Sequence, residues 1–259
     1  MPKIKKSYGI ICCRKDNIRG LQIILIKKPT TYHFCEFIIG HYRKGDDAHL
    51  RKLFNNMTYY EKMDILSFKF NIMWYRMYKV NPESSLIPGR VLNNNITSRQ
   101  YMRKKTKFEA SFLQDGGVRL KRLISETVNA ETLWEIPKGR RQENTNEGFI
   151  NTAIREFSEE TLIDPSKYQI LWRIKPYVET YSDFGITYQN IYYYANAIDK
   201  WEPNILFSNG QQISEVSAVR WCSLTDINNM QLDPFTHKRL VNMFKKIKLK
   251  YKNEIQKSE

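Results

Sequence analysis

Residues 134–163 read WEIPKGRRQENTNEGFINTAIREFSEETLI, and the end of this stretch crowds three carboxylates together: Glu156, Glu159 and Glu160. No helix breaker follows Gly148 in this stretch, so we predict a helix from Glu147 to about Leu162 in which Glu156 and Glu160, at i and i+4, share one face. A solvated charged face is the simpler interpretation, because glutamate is a good helix former. Like charges at this spacing repel, however, and a divalent cation reverses that cost, so the cluster also fits a platform for Mg²⁺ or Mn²⁺.

The residues around the cluster favour a metal-binding site over a solvated charged face. Apolar side chains mark a different face of the helix, suited to packing on a sheet: Phe149, Ala153, Ile154 and Phe157. Arg155 can orient one carboxylate, and Glu147, two turns earlier, can brace Arg155. Upstream, Pro137 and Gly139 predict a turn after a short strand, where a glycine lets a backbone carbonyl approach a metal.

This pattern resembles the signature of the Nudix hydrolases: Gly, five residues, Glu, seven residues, then Arg-Glu-apolar-x-Glu-Glu-x-Gly-apolar. Here seven residues separate Gly139 from Glu147, and seven more separate Glu147 from Arg155. The first gap is therefore longer than in the family, which lengthens the loop before the helix. Leu162 stands where the family has its last glycine, so we expect the helix to end differently, through residues 164–165 (Asp-Pro).

The resemblance implies an α/β fold, the Nudix α/β/α sandwich with a mixed sheet, and hydrolysis of a pyrophosphate linkage with two or three Mg²⁺ or Mn²⁺ ions. It also implies the metal ligands: Gly139, Glu156, Glu159 and Glu160. Glu159 is either a ligand or the base that accepts a proton from water. Glu215 is the best-placed remote carboxylate to complete the catalytic set, although an exposed strand residue explains it equally well. Lys138 and Arg140 are expected to hold phosphate oxygens.

Strand-like segments at both ends of the chain enclose a middle segment with helical spacing of apolar residues. This pattern predicts a Nudix domain from residues 1–35 and 129–259, split by a mostly helical insert at residues 36–128. We predict strands in the Nudix part at these positions: residues 7–14, 21–28, 168–182, 186–198 and 213–222. The pair around 168–198 turns at DFG, and a final helix starts at Asp233 or Thr236.

The insert shows its own helical pattern. Apolar residues recur at helical spacing: Leu50, Leu53, Phe54 and Met57. Thr58 and Glu61 have the form of a capping box that starts another helix. Residues 81–89 (NPESSLIPG) break helicity. The apolar stripe and the MWY segment at residues 73–75 suit packing within the insert or a homodimer contact better than base stacking.

Charge suggests a polyanionic partner. Residues 41–128 carry seventeen Lys and Arg against eight Asp and Glu, an excess of nine within a chain of net charge +15. Basic composition alone is a weak indicator, yet these cations are interleaved with Tyr101 and Phe108, whose rings can stack on bases. The predicted RNA-binding residues are Arg99, Arg103, Lys104, Lys105, Lys107, Arg119, Lys121 and Arg122.

Within the family, the chain resembles the mRNA-decapping enzymes of large cytoplasmic DNA viruses. The segments that carry the similarity are FNNMT at 54–58, MWY at 73–75, LWEIPKG at 133–139, AIREFSEET at 153–161 and KYQIL at 167–171. This resemblance implies capped RNA as substrate, 7-methyl-GDP as product and action in the host cytoplasm. Two alternatives stay open: a small substrate such as a diphosphoinositol polyphosphate or a nucleoside diphosphate derivative, and a non-catalytic RNA-binding Nudix scaffold.

Two further features of the sequence concern membrane spans and the state of the cysteines. No apolar run approaches the roughly 20 residues that cross a bilayer, so we expect no membrane span. The four cysteines lack C-x-x-C or zinc-ligand spacing, which favours reduced and mostly buried thiols.

Overall fold

The computed structural model describes residues 4–79, 91–93, 96–142, 145–183, 186–205, 212, 215–230, 232 and 234–255. The chain divides into a sheet unit, Met1–Lys28 with Trp134–Glu259, and a helical unit, Pro29–Leu133. The helical unit extends further at both ends than the predicted 36–128. Thr31 caps its first helix, and the Ala130 N–H donates to the Met57 carbonyl, so both flanking segments are bonded into it.

The described strands are, in chain order, β1 (Ile4–Asp16), β2 (Gly20–Lys27), β3 (Val91–Asn93), β4 (Ile96–Thr97), β5 (Trp134–Glu135), β6 (Lys138–Gly139), β7 (Tyr168–Ile170), β8 (Tyr177–Asp183), β9 (Ile186–Ala197) and β10 (Ala218–Cys222). Eight of them form one sheet in the order β10-β2-β1-β9-β7, with β5 on β2, β6 on β1 and β8 on β9. The β1–β9 pair is parallel and the others are antiparallel, so the sheet is mixed as predicted.

The described helices are α1 (Tyr32–Ile38), α2 (Asp47–Asn55), α3 (Tyr59–Leu66), α4 (Phe70–Tyr78), α5 (Ser98–Phe112), α6 (Val118–Ser125), α7 (Phe149–Thr161), α8 (Leu224–Asn229) and α9 (Pro234–Ile255). Alternate side chains of β1 pack in two different cores. Ile10 packs in one core with Ala153 and Phe157 of α7, and Ile11 packs in the other with Phe244 of α9. Helices on both faces of a mixed sheet confirm the α/β/α sandwich. None of the described helices is long and apolar enough to cross a membrane.

Two predicted strands are wrong in extent. Residues 168–182 form β7 and β8 rather than one strand, because Pro176 has no N–H to donate to a ladder. The strand predicted at residues 213–222 is observed as Ala218–Cys222, because the Val216 N–H donates to the Gln212 carbonyl and not to a neighbouring strand. Residues 213–214 lie outside the described residues. The last helix begins at Pro234, between the two predicted starts, with proline at its first position. Residues 184–185, which close the predicted DFG turn, lie outside the described residues.

The helical unit has a core of its own, and the predicted apolar stripe is part of it. Leu53, Phe54, Met57 and Trp74 are each at most 2% exposed within one cluster of aromatic and aliphatic side chains. The stripe therefore packs within the unit instead of presenting a homodimer contact. The capping box at Thr58 is confirmed, with both reciprocal hydrogen bonds present. The predicted breaker segment at residues 81–89 lies outside the described residues.

Candidate active site

The acidic helix α7 is anchored by its apolar face and ends in an unusual way. Ala153 and Phe157 are fully buried, and Phe149 stacks on Tyr8 of β1 with ring centroids 4.8 Å apart. The helix ends at Leu162, which has the left-handed φ of 55° that a glycine usually provides. The expected ending through residues 164–165 is therefore wrong. Leu162 keeps the glycine's conformation, at a cost of about 1 kcal/mol for a side chain in this region.

Arg155 holds two carboxylates of the cluster. Its Nη1 lies 2.9 Å from both Glu156 Oε1 and Glu159 Oε2. The Glu156 side chain is only 12% exposed, and this burial raises its pKa against the opposing effect of Arg155. Glu159 is more accessible, at 29%. The helix thus presents one carboxylate that is costly to ionise beside another that reaches solvent.

Glu147 braces this arginine from the loop before the helix. Its Oε1 accepts from Arg155 Nε at 2.8 Å and its Oε2 accepts from the Thr152 hydroxyl at 2.9 Å. The hydrogen bond from Arg155 is the main reason that the pKa of Glu147 falls to about 2, so Glu147 stays ionised at any physiological pH. Arg155 also donates to the Arg140 carbonyl at 3.0 Å, which ties the start of the lengthened loop to the helix.

Gly139 lies directly against the cluster. It belongs to β6 and pairs with Tyr8 of β1. A Cβ at position 139 would collide with the Glu156 carboxylate, so only a glycine leaves room for that carboxylate against the backbone.

Glu160 points into the sheet unit and joins a cluster of four charges. It is 1% exposed, and its Oε1 pairs with the ammonium of Lys28 while its Oε2 accepts from the Lys138 backbone N–H at 2.9 Å. Glu135 Oε2 accepts from Lys138 Nζ at 2.6 Å, and Glu135 Oε1 lies 3.8 Å from Lys28 Nζ. Burial raises the pKa of Glu160 despite Lys28, whereas the two ammonium groups overcome burial at Glu135 and lower its pKa.

Glu215 lies close enough to act on the cluster. Its charge contributes to the raised pKa of Glu156, and its side chain is half-buried. It does not lie on a strand, because the backbone at this point is helical and β10 starts three residues later. Glu215 is therefore proposed for the catalytic set as a residue with a helical backbone, and not as a strand residue.

Comparison with known proteins now assigns the family. The NUDIX domain matches residues 114–244, which is about half of the chain. The chain belongs to the Nudix hydrolase family. It is 33% identical over 244 residues to the mRNA-decapping protein g5R of one African swine fever virus isolate, covering 92% of this chain and 90% of the relative. The same protein from a Kenyan pig isolate is 34% identical over 226 residues, with 85% of each chain covered. A solved structure, the binary complex of a C. elegans Ap4A hydrolase, matches with a TM-score of 0.43 and 11% identity, covering 94% of this chain and 95% of that one.

Nudix hydrolases generally use divalent metal ions, and the residues of this chain fit one. The available donors are hard oxygens, which Mg²⁺ and Mn²⁺ prefer, and the glycine at 139 lets the Glu156 carboxylate lie against the backbone. Within the described residues, no three His, Cys, Asp or Glu side chains already converge as a metal cluster. Arg155 pairs with Glu156 and Glu159, and Lys28 pairs with Glu160.

Most of the predicted RNA-binding residues contact other groups of the helical unit, and two of them are exposed. Lys104 donates to the Ile39 carbonyl, and Lys107 donates to the Gly40 and Tyr42 carbonyls, so both lysines bind the backbone just after α1. Arg119 and Arg122 pair with Asp47, Lys105 lies 4.0 Å from Glu109, and Lys121 lies 5.3 Å from the centre of the Phe68 ring. Arg99 and Arg103 are exposed, one helical turn apart on α5.

Sequence reasoning missed Lys28 and Glu135. A signal for Glu135 exists, because Glu135 and Lys138 form a pair three residues apart in WEIPKG. Lys28 had no comparable signal. It follows β2, and only the pairing of β2 with β5 brings it to Glu135.

Proposed function

We propose that this protein hydrolyses the pyrophosphate linkage of the mRNA cap, releasing 7-methyl-GDP and leaving RNA with a 5′-monophosphate. The observation that carries the proposal is the extent of the similarity to a viral mRNA-decapping protein, which covers 92% of the chain and so includes the helical unit. The relatives are viral, and we infer that the protein acts in the cytoplasm of a host cell.

In this proposal Gly139, through its carbonyl, and Glu156, Glu159 and Glu160 hold the divalent cations, Mg²⁺ or Mn²⁺, two or three in number. When bound, the cations neutralise charge that develops on the phosphates and lower the pKa of water. Glu156 lies against Gly139, and its Oε1 pairs with Arg155 Nη1 at 2.9 Å. Arg155 is held in turn by Glu147, so the loop and the helix position the ligands together.

The reaction itself is attack by water on a phosphorus of the linkage. A P–O bond forms to the water oxygen, the bridging P–O bond breaks, and the water proton passes to a carboxylate. Glu159 suits that role because it is the most exposed of the three glutamates and Arg155 orients it. Glu215 provides a further carboxylate, whose charge contributes to the raised pKa of Glu156. Arg140 holds phosphate oxygens at the start of the loop, whereas the Lys138 ammonium, expected from the sequence to share that role, is bound to Glu135 and is only 9% exposed.

The test of this function is product analysis. Wild-type protein with Mn²⁺ and cap-labelled RNA is expected to release 7-methyl-GDP, identified by chromatography against authentic standards. Release of 7-methyl-GMP would place the cleavage at the other linkage. Metal binding without any release would leave a non-catalytic RNA-binding scaffold. Either outcome contradicts the proposal.

A second experiment concerns the RNA-binding surface. We expect Arg99→Gln with Arg103→Gln to weaken binding of uncapped RNA about tenfold at low salt and to reduce the slope of log affinity against log salt by about 2, since two phosphate contacts are lost. Lys104→Gln with Lys107→Gln is the matched double change. It is expected to lower the melting temperature, because these lysines satisfy carbonyls at the end of α1.

The readout is fluorescence anisotropy at several salt concentrations, with melting curves of both double variants. Unchanged RNA affinity in the arginine variant would remove α5 from the RNA surface. If uncapped RNA also fails to inhibit cap release by the wild type, a small substrate such as a diphosphoinositol polyphosphate becomes the better assignment.

A further inference from the structure

The four-charge cluster of Lys28, Glu135, Lys138 and Glu160 is the most buried set of ionic groups among the described residues of the sheet unit. The two carboxylates are at most 2% exposed, and the ammonium side chains of Lys28 and Lys138 are 15% and 9% exposed. Two positive and two negative charges balance. Burying four charges costs desolvation energy that their attraction only partly offsets, so stability alone is a weak reason for the cluster.

Within the cluster, both oxygens of Glu160 are engaged. Oε2 accepts a hydrogen bond from the backbone N–H of Lys138, which the pairing of β6 with β1 holds in place. Oε1 pairs with the Lys28 ammonium, which is carried on a flexible four-carbon stem. A metal ion that binds through Oε1 must therefore take the place of Lys28, because a cation and an ammonium cannot occupy one carboxylate oxygen side by side without strong repulsion.

Glu135 is placed to receive the displaced ammonium. Its Oε1 lies 3.8 Å from Lys28 Nζ, so a small rotation of the lysine side chain closes that distance to a hydrogen bond. The backbone at both ends of the move is fixed, because β5 pairs with β2 through Ile26 and Glu135. Glu135 also stays ionised, since Lys138 and Lys28 lower its pKa against the effect of burial.

We propose that Lys28 and the divalent cation exchange on Glu160, and that Glu135 holds Lys28 after the exchange. The inference rests on the proposed function, in which Glu160 is a metal ligand. Lys28 and Glu135 are then positioning residues. Lys28 balances the Glu160 charge, and Glu135 lowers the energy of the arrangement in which Glu160 is bound to metal.

The test is a double-mutant cycle on Mn²⁺ affinity, measured by calorimetry and by electron paramagnetic resonance of free Mn²⁺. Glu135→Gln removes the receiving charge and is expected to raise the Kd for Mn²⁺ about tenfold while Lys28 is present. In the Lys28→Met background Glu135 has no Lys28 ammonium to bind. Glu135→Gln is therefore expected to raise the Kd for Mn²⁺ by about threefold at most. Glu202→Gln, which removes an exposed carboxylate of the same unit that pairs with Arg14, is the control. Its effect should be equal in both backgrounds.

Equal effects of Glu135→Gln in the two backgrounds would overturn the exchange and make Glu135 a general source of negative charge. Should Glu135→Gln fail to fold, crystals of the wild-type protein with and without Mg²⁺ decide the matter. Lys28 should lie on Glu135 when Mg²⁺ is bound to Glu160, and a Lys28 that stays on Glu160 with Mg²⁺ bound overturns the proposal. Failure of the proposed function looks different, because wild-type protein would then bind no Mn²⁺ or release no 7-methyl-GDP.

Discussion

Glu156→Gln is expected to reduce the rate of cap release by about 10³-fold or more, because an amide oxygen is a poor ligand for a cation that the carboxylate would otherwise bind. The fold should tolerate the change. Gln has the same shape, and its amide oxygen can keep the hydrogen bond from Arg155. Burial raises the pKa of Glu156, so the ionised carboxylate is disfavoured in the folded state, and removing that charge should leave the melting temperature unchanged or raise it.

The measurement combines steady-state release of 7-methyl-GDP at saturating Mn²⁺ with thermal melting. Glu202→Gln is the matched control, since Glu202 is an exposed carboxylate of the same unit that pairs with Arg14 at 2.7 Å. The control should retain wild-type turnover. A Glu156→Gln variant that stays within tenfold of wild type would show that the acidic helix is not the metal platform. A variant that loses activity and melts much earlier would indicate a structural role instead.

The acidic helix was the part of the site that local pattern could predict. Its apolar face, its carboxylates at i and i+4 and the bracing by Glu147 all follow from spacing along one helix. The end of the helix did not follow from local rules. Leucine is a poor residue for the left-handed region, yet Leu162 occupies it, because the strands and helix around it set the backbone path.

The charged residues outside the helix show where local reasoning stops. Lys28 and Glu135 are more than a hundred positions apart and meet only because β2 pairs with β5, a register that no local pattern specifies. The basic helix α5 shows the same limit. Its sequence predicted five RNA-binding residues, but Lys104 and Lys107 among them bind carbonyls after α1. Which lysines serve the fold and which face solvent depends on the helix packed against them.

A substitution at Gly139, ahead of the helix, is expected to have an effect of comparable size on the rate of cap release. Gly139→Ala is expected to lower the rate of cap release by about 10² to 10³-fold, because the added methyl group would occupy the position of the Glu156 carboxylate. Moving that carboxylate also changes its distance from Arg155. The crowding itself should reduce the free energy of unfolding by about 1–3 kcal/mol. Affinity for Mn²⁺ should fall as well, which separates loss of a metal site from loss of RNA binding.

Gly148→Ala tests whether that effect is specific to the site. Gly148 precedes α7, and a Cβ there would meet only Asn151 Nδ2, at 3.8 Å, so the change adds the same methyl group without a clash. It should cost about 1 kcal/mol or less, as alanine is a poorer N-cap than glycine, and should leave turnover near wild type. If both alanine variants lose activity equally, the effect is not specific to position 139. Loss confined to position 139 would instead show that the close approach of Glu156 to the backbone is what the reaction requires.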